Sequence, residues 1–309
     1  MKYSIPILFI FFNREETALN SFQRIKSIKP SQLFLACDGP RNDVEGEKEI
    51  VARLRKKIVD EIDWECDVKK LFQSSNLGCS QGVYSAINWM FTCVDKGIIL
   101  EDDCIPQSSF FSYMEELVIR YEKDERIGMI AGYNRLGRIN ITDSYCFSKY
   151  KACWGWATWK RSWKNMDLML EWRNSKYLKD VLHNMGYKSA DISDWKYKLK
   201  LIDNRKVSAW DWQWYFSLAC QNQLTIFPKT SLITNNGFDS RSTHTFKEPK
   251  HAKAKAEISF PLQHPKYVLP SSKFDHKFYK VRNTFFRKLR NHLPLSVTRT
   301  IKKILYRKL

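Results

Sequence analysis

Several familiar signatures are missing from this chain, and each absence removes a class of function. No GxGxxG follows the first apolar run, and no GxxxxGK[ST] occurs anywhere. That excludes a dinucleotide-dependent oxidoreductase and an ordinary ATPase, both of which cradle phosphate in a glycine loop. There is no HExxH pair to hold a protease zinc. The eight cysteines form no CxxC pair and no regular framework, and most sit in apolar sequence. They suit reduced, buried thiols in a cytosolic protein better than a disulfide scaffold or a zinc site. Nor does any apolar run approach the ~18 residues of a membrane span. The N-terminal run Ile5 to Phe12 is short, lacks a small-residue cleavage site and ends in Asn13-Arg14-Glu15-Glu16, so it reads as a first strand rather than a signal peptide.

What is present is a globular composition, 43% hydrophobic and 14% aromatic over 309 residues, with a net charge of +19. The apolar share excludes an intrinsically disordered chain, and the charge points to anionic partners. It is unevenly placed. Residues 273–309 hold twelve Lys and Arg against one acid, Asp275, which puts +11 of the +19 there. In that segment Phe278, Phe285, Phe286, Leu289, Ile301, Ile304 and Leu305 alternate with basic residues. This is the composition of a basic amphipathic helical tail lying on an anionic membrane surface. It carries no recognised nucleic-acid motif, so nucleic acid is not an expected partner. The expected location is cytoplasmic, peripheral on the inner face of the membrane.

Read in order, apolar strands alternate with helices. The strands Ile5–Phe12, Leu33–Cys37, Asp67–Gln73 and Ile98–Leu100 are separated by helices reaching Ile28, spanning roughly Asp43–Asp60, and spanning Val83–Val94. Four such alternations predict a doubly wound α/β domain with a mostly parallel central sheet flanked by helices. Ser108–Tyr121 is helical by its apolar spacing, and Ile127–Ala131 and Tyr145–Phe147 read as further strands. The expected division is a domain over 1–246, with halves 1–105 and 106–246, a lysine-rich connector over 247–272, and the basic tail over 273–309.

The chemistry gathers at strand ends. The apolar run Gly97-Ile98-Ile99-Leu100 stops in Glu101-Asp102-Asp103 and is followed by Pro106. Three adjacent acids at the C-terminal edge of a parallel sheet repel one another unless a cation sits among them, and a hard divalent ion, Mn²⁺ or Mg²⁺, suits carboxylate and phosphate oxygens. Arg14 and Asp38 follow the first two strands and would lie on the same edge. A cation, an acid and a metal site there can hold a nucleotide diphosphate. Nine of the eleven tryptophans fall between residues 150 and 216, and Trp154-Gly155-Trp156-Ala157-Thr158-Trp159 has the look of a sugar-stacking platform. In Trp210-Asp211-Trp212-Gln213-Trp214 one carboxylate sits between indoles, a setting that raises a carboxyl pKa and favours a general base. His244 closes the polar loop that begins Asn235-Asn236-Gly237 and is a candidate for contact with metal, diphosphate or acceptor.

Asn13-Arg14, Leu35-Ala36-Cys37-Asp38-Gly39-Pro40, Ile98-Ile99-Leu100-Glu101-Asp102-Asp103 and Phe110-Phe111 together resemble the GT-A glycosyltransferases, and within them the N-acetylglucosaminyltransferase I type and its bacterial relatives. The resemblance covers about residues 3–246. It implies that Asp103 is the direct ligand of Mn²⁺ or Mg²⁺, that Glu101 and Asp102 lie near sugar and ribose, and that Arg14 and Asp38 meet the uridine end of a UDP-sugar donor. It further implies inversion at the anomeric carbon with Asp211 as base; the resemblance is looser at His244, which stays a candidate for metal, diphosphate or acceptor. The basic tail adds the expectation of a bacterial surface glycan or lipid-linked glycan as acceptor. Two other functions compete with this reading: a non-catalytic binder of nucleic acid or anionic surfaces, and a sugar nucleotidyltransferase.

Overall fold

The computed structural model describes residues 2–204, 208–238 and 256–293, together with Val297. Its first hundred residues follow the expected alternation: β1 (Ile7–Phe11), α1 (Glu15–Ile28), β2 (Gln32–Cys37), α2 (Glu47–Asp60), β3 (Asp67–Phe72), α3 (Gly78–Cys93) and β4 (Lys96–Glu101). Then come β5 (Cys104–Pro106), α4 (Ser108–Arg120), β6 (Ile127–Ala131), β7 (Tyr145–Ser148), β8 (Trp156–Trp159), α5 (Lys160–Trp163), α6 (Leu178–Asn184), α7 (Ser189–Asp203), α8 (Asp211–Cys220), β9 (Leu224–Pro228), β10 (Ile233–Asn235), α9 (Ser272–Arg282) and α10 (Phe285–His292).

Eight strands make one sheet in the order β3-β2-β1-β4-β8-β6-β9-β7. The first four are parallel, and β8 and β7 run against the rest. This is the expected Rossmann-like α/β architecture, a mostly parallel central sheet between helical layers. Strand residues alternate between the two faces, because successive side chains of a strand point to opposite sides. Ile7, Phe9 and Phe11 of β1 join Ile98 and Leu100 of β4 in a core with α1, α2, α4 and α9. Leu8 and Ile99 face the other way, into a core shared with α3, α6, α7 and α8. A two-stranded antiparallel sheet pairs β5 with β10, setting Asn235 opposite Cys104.

The C-terminal segment departs from its expected form. Residues 256–271 run along the domain: Glu257 accepts from the Ser108 and Ser109 amides at the start of α4, and Ile258 and Leu262 are buried. The α9 helix is part of the core rather than of a surface tail. Its Phe278 stacks on Tyr150 at 4.4 Å between ring centres, and Phe274 packs on Phe227 at 4.8 Å. Aromatic spacing alone cannot tell a face that meets lipid from one that meets its own sheet. Among the described residues no helix is long and apolar enough to cross a membrane.

Candidate active site

The C-terminal ends of β1, β2 and β4 form one edge, and the acidic triplet sits on it. Glu101 is the last residue of β4 and pairs with Ile10 of β1. Asp102 and Asp103 make the turn into β5, and all three are partly buried rather than exposed to bulk water. The Phe12 amide donates to Asp102 Oδ2 at 3.3 Å. Arg14, the residue before α1, places Nη1 3.7 Å from Asp103 Oδ2. From the opposite side β10 closes on the same carboxylate. Asn235 Nδ2 donates to Asp103 Oδ1 at 3.1 Å, and the Asn236 amide donates to the Asp103 carbonyl at 2.9 Å. Gly237 is tied in by its amide, which donates to Asn235 Oδ1 at 2.9 Å. Asp103 is therefore held from two places far from it in sequence, the start of α1 and the end of β10.

The electrostatics follow from that crowding. Loss of surrounding water pushes the Glu101 carboxyl well above the usual range, and the charges of Asp103, Asp102 and Asp211 push it the same way. Burial also raises Asp103, against the pull of the Arg14 guanidinium. The Cys79 thiol, at the start of α3, is pushed up to about 12 by burial and then by Glu101, Asp211, Asp103 and Asp38. One sulfur feels four carboxylates, which shows how closely these expected site residues gather.

Asp211 opens α8. Trp210 just before it stacks on Trp156 at 5.8 Å, and Trp156 pairs with Ile99 of β4. Ser80 of α3 braces the same approach, donating through Oγ to the Ala209 carbonyl at 3.0 Å. Asp211 is thus anchored to the strand that carries the triplet. Gly78-Cys79-Ser80-Gln81-Gly82 also satisfies the GxSxG spacing. It is no nucleophile elbow here, since it forms the first turn of α3 after a loop and Ser80 spends its hydroxyl on that brace.

Asp38 lies on the same edge, but its oxygens are largely engaged. Oδ1 accepts from the Gly39 and Leu77 amides, both at 2.8 Å, and Oδ2 accepts from the Gly78 amide at 2.9 Å. It fixes the start of α3, whose first amides have no partner within the helix. Of the tryptophan platform, Trp156 and Trp159 are sealed in the core, because β8 is a central strand covered on both faces. Trp154 alone of the three is half-buried; it packs on Tyr133 at 4.4 Å and meets Phe238 edge-on at 6.0 Å. His244 lies outside the described residues. Asn235 and Gly237 belong to the site although the sequence marks them only as a polar loop; the Asn-rich run that ends in glycine is the signal that could have found them.

No family model matches the chain, and no curated protein matches it in sequence. Solved structures similar to it include a mannosyltransferase from Pyrobaculum calidifontis in complex with GDP-Man and Mn²⁺, at 9% identity and a TM-score of 0.36, over 52% of this chain and 45% of that one. HddC from Yersinia pseudotuberculosis aligns at 8% identity and a TM-score of 0.28, over 52% of this chain and 79% of that one. A UDP-glucose pyrophosphorylase complexed with UDP-glucose aligns at 8% identity and a TM-score of 0.30, with the same two shares. Overlaps this loose transfer no activity to the chain.

Proposed function

We propose that the chain is a metal-dependent inverting glycosyltransferase, which moves a sugar from a nucleotide sugar, UDP-linked by the residue matching, to a glycan or lipid-linked glycan. The observation that carries this reading is the grip on Asp103: a carboxylate at a strand end, fixed by Arg14 and Asn235, with Glu101, Asp102 and Asp211 close enough for their charges to act on one another.

Among the described residues no three Asp, Glu, His or Cys side chains converge into a ready-made metal cage. The donor set nevertheless fits Mn²⁺ or Mg²⁺, which are commonly held by one or two carboxylates plus substrate phosphates. Asp103 would hold the ion, and its charge would relieve the repulsion that raises Glu101. When bound, the ion supplies charge neutralisation to the departing diphosphate. Arg14 adds a second positive charge beside Asp103, and Glu101 and Asp102 would meet sugar and ribose hydroxyls. Asp38 shapes the floor under the nucleotide by holding the start of α3. Asp211 accepts the proton of the acceptor hydroxyl as its oxygen bonds to the anomeric carbon, and the electron pair of the broken bond leaves with the nucleotide. Trp154 offers a half-open indole beside the Asp103 loop for the sugar or acceptor ring.

A narrower membrane contact than the sequence suggests is part of the reading. Phe285 and Leu289, one turn apart on α10, are exposed by 74% and 50%, with the exposed Lys288 on the same helix. That is an apolar stripe edged with positive charge, suited to an anionic lipid surface on the cytoplasmic side.

The test is turnover. Purified protein with Mn²⁺ should release nucleotide diphosphate from one member of a nucleotide-sugar panel, and Asp103→Asn should lower the rate more than tenfold without unfolding the chain. Asp211→Asn should stop transfer while the donor still raises the melting temperature. Pyrophosphate release from a nucleoside triphosphate and a sugar 1-phosphate, with no transfer, would replace this reading by a nucleotidyltransferase.

A further inference from the structure

Beyond the acidic edge the chain builds a second charged centre of opposite sign. Asp194 of α7 is fully buried, and four cations converge on it. Arg282 Nη2 lies 3.0 Å and Lys198 Nζ 3.5 Å from Oδ2; Arg290 Nη2 lies 2.7 Å and Arg287 Nε 3.6 Å from Oδ1. Arg135 lies within range of the charges of Arg282 and Asp194. Asp191, one turn earlier, is buried too, but its oxygens are filled by the Tyr150 hydroxyl, the Tyr187 amide and Asn283 Nδ2. Counting both acids and Asp211, whose charge also reaches Lys198, cations still outnumber carboxylates five to three.

Fastening α9 and α10 to α7 would take one or two such pairs. The surplus carries a cost that fastening does not explain. Burial and then the neighbouring arginines push Lys198 well below the ordinary lysine range, and burial lowers Arg287 to about 10. The Nε groups of Arg135 and Arg282 are buried and find no acceptor among the described residues. The cations are also held rigidly against aromatic faces: Lys198 and Arg282 over Trp195 at 3.7 and 4.5 Å, Arg290 over Tyr197 at 4.4 Å. Arg287 and Arg290 keep 29% and 34% of their side chains open to solvent, so the cluster can be reached. It adjoins the reaction side of the site as well, because Lys198 also lies over Trp212 at 5.0 Å, next to Asp211.

We propose that Arg135, Lys198, Arg282, Arg287 and Arg290 form a binding site for a phosphate or diphosphate group on the acceptor. Preorganised guanidinium forks match phosphate oxygens, and a doubly charged anion would balance the surplus that Asp191, Asp194 and Asp211 leave. The word acceptor rests on the proposed function; the anion site rests on the cluster alone.

The experiment is calorimetric titration of the full chain with inorganic pyrophosphate in EDTA, without nucleotide. Saturable binding near one per chain is expected. Arg135→Gln and Arg290→Gln should each weaken it at least tenfold, and Asp103→Asn should leave it unchanged. Arg290 is partly exposed, so its variant serves if the Arg135 variant does not fold. No saturable binding, equal binding in both arginine variants, or loss on Asp103→Asn would overturn the assignment. So would binding to anionic phospholipid vesicles that depends on Arg135 when pyrophosphate does not bind, which would make the cluster a headgroup contact. Donor hydrolysis with Mn²⁺, measured on the unaltered protein, separates the two readings. Hydrolysis without pyrophosphate binding removes the anion site alone; pyrophosphate binding with no turnover of any nucleotide sugar keeps the site and removes the acceptor.

Discussion

Gly237 lies against Asp103 so closely that a methyl group on its Cα would come within 2.1 Å of Oδ2. The carboxylate cannot step aside without giving up Asn235 or Arg14. Gly237→Ala should therefore lower nucleotide-sugar turnover at least tenfold, about 1.4 kcal/mol in barrier, while the melting temperature moves little. A fully active Gly237→Ala enzyme would show that the position of Asp103 does not matter to the reaction.

Asp38 offers a contrast between holding and contacting. With three backbone amides on its oxygens, two of them part-buried and one exposed, Asp38→Ala should cost about 1–2 kcal/mol in urea unfolding. Asp38→Asn keeps one acceptor oxygen and should cost less. If both variants unfold like the parent and change only the donor KM, the residue touches nucleotide rather than supporting α3.

The two halves of the basic segment should respond oppositely to truncation of an aromatic ring. Phe278→Ala opens a cavity beside Tyr150 and should destabilise by about 3–5 kcal/mol. Phe285→Ala removes an exposed ring and should leave stability within about 0.5 kcal/mol, while retention on anionic vesicles falls several-fold. Unfolding and vesicle flotation, run on both variants, check the pair.

A pH dependence follows from Asp275. Burial lifts its carboxyl from 3.8 to about 6, against a hydrogen bond from Ser148 and the charges of Lys149 and Lys151. The folded state thus binds this proton more tightly than the unfolded chain does. The stability it contributes is fully present below about pH 4 and is lost as pH rises through 6, a swing of about 3 kcal/mol. Asp275→Asn lacks the swing. Its unfolding free energy relative to the parent should climb between pH 4 and 6.5 and then level off; a constant difference would contradict the assignment.

The sequence makes β1, β2 and β4 legible because each is an apolar run cut short by a polar residue, and the same cut marks Arg14, Asp38 and the triplet. What it hides is set by partners distant in the chain. Helix α3 begins at Gly78, five residues before its apolar spacing starts, since Asp38 supplies the hydrogen bonds its first turn lacks. Trp156 and Trp159 look like a surface for sugars until β8 is seen between β4 and β6. The α9 helix reads as a tail because its apolar face is spaced like any amphipathic helix, and nothing local says that Phe227 and Tyr150 await it. Asn235 and Gly237 enter the site only through the pairing of β10 with β5.

The place of β8 bears on how the chain can move. A strand that leaves the second half of the chain and pairs with β4 stitches the two expected halves into a single sheet. Under the proposed function, admission of donor and exit of product fall to the connecting loops around Asp103 and Asp211. Changes in substrate preference should accordingly trace to those loops and leave the strands beneath them untouched.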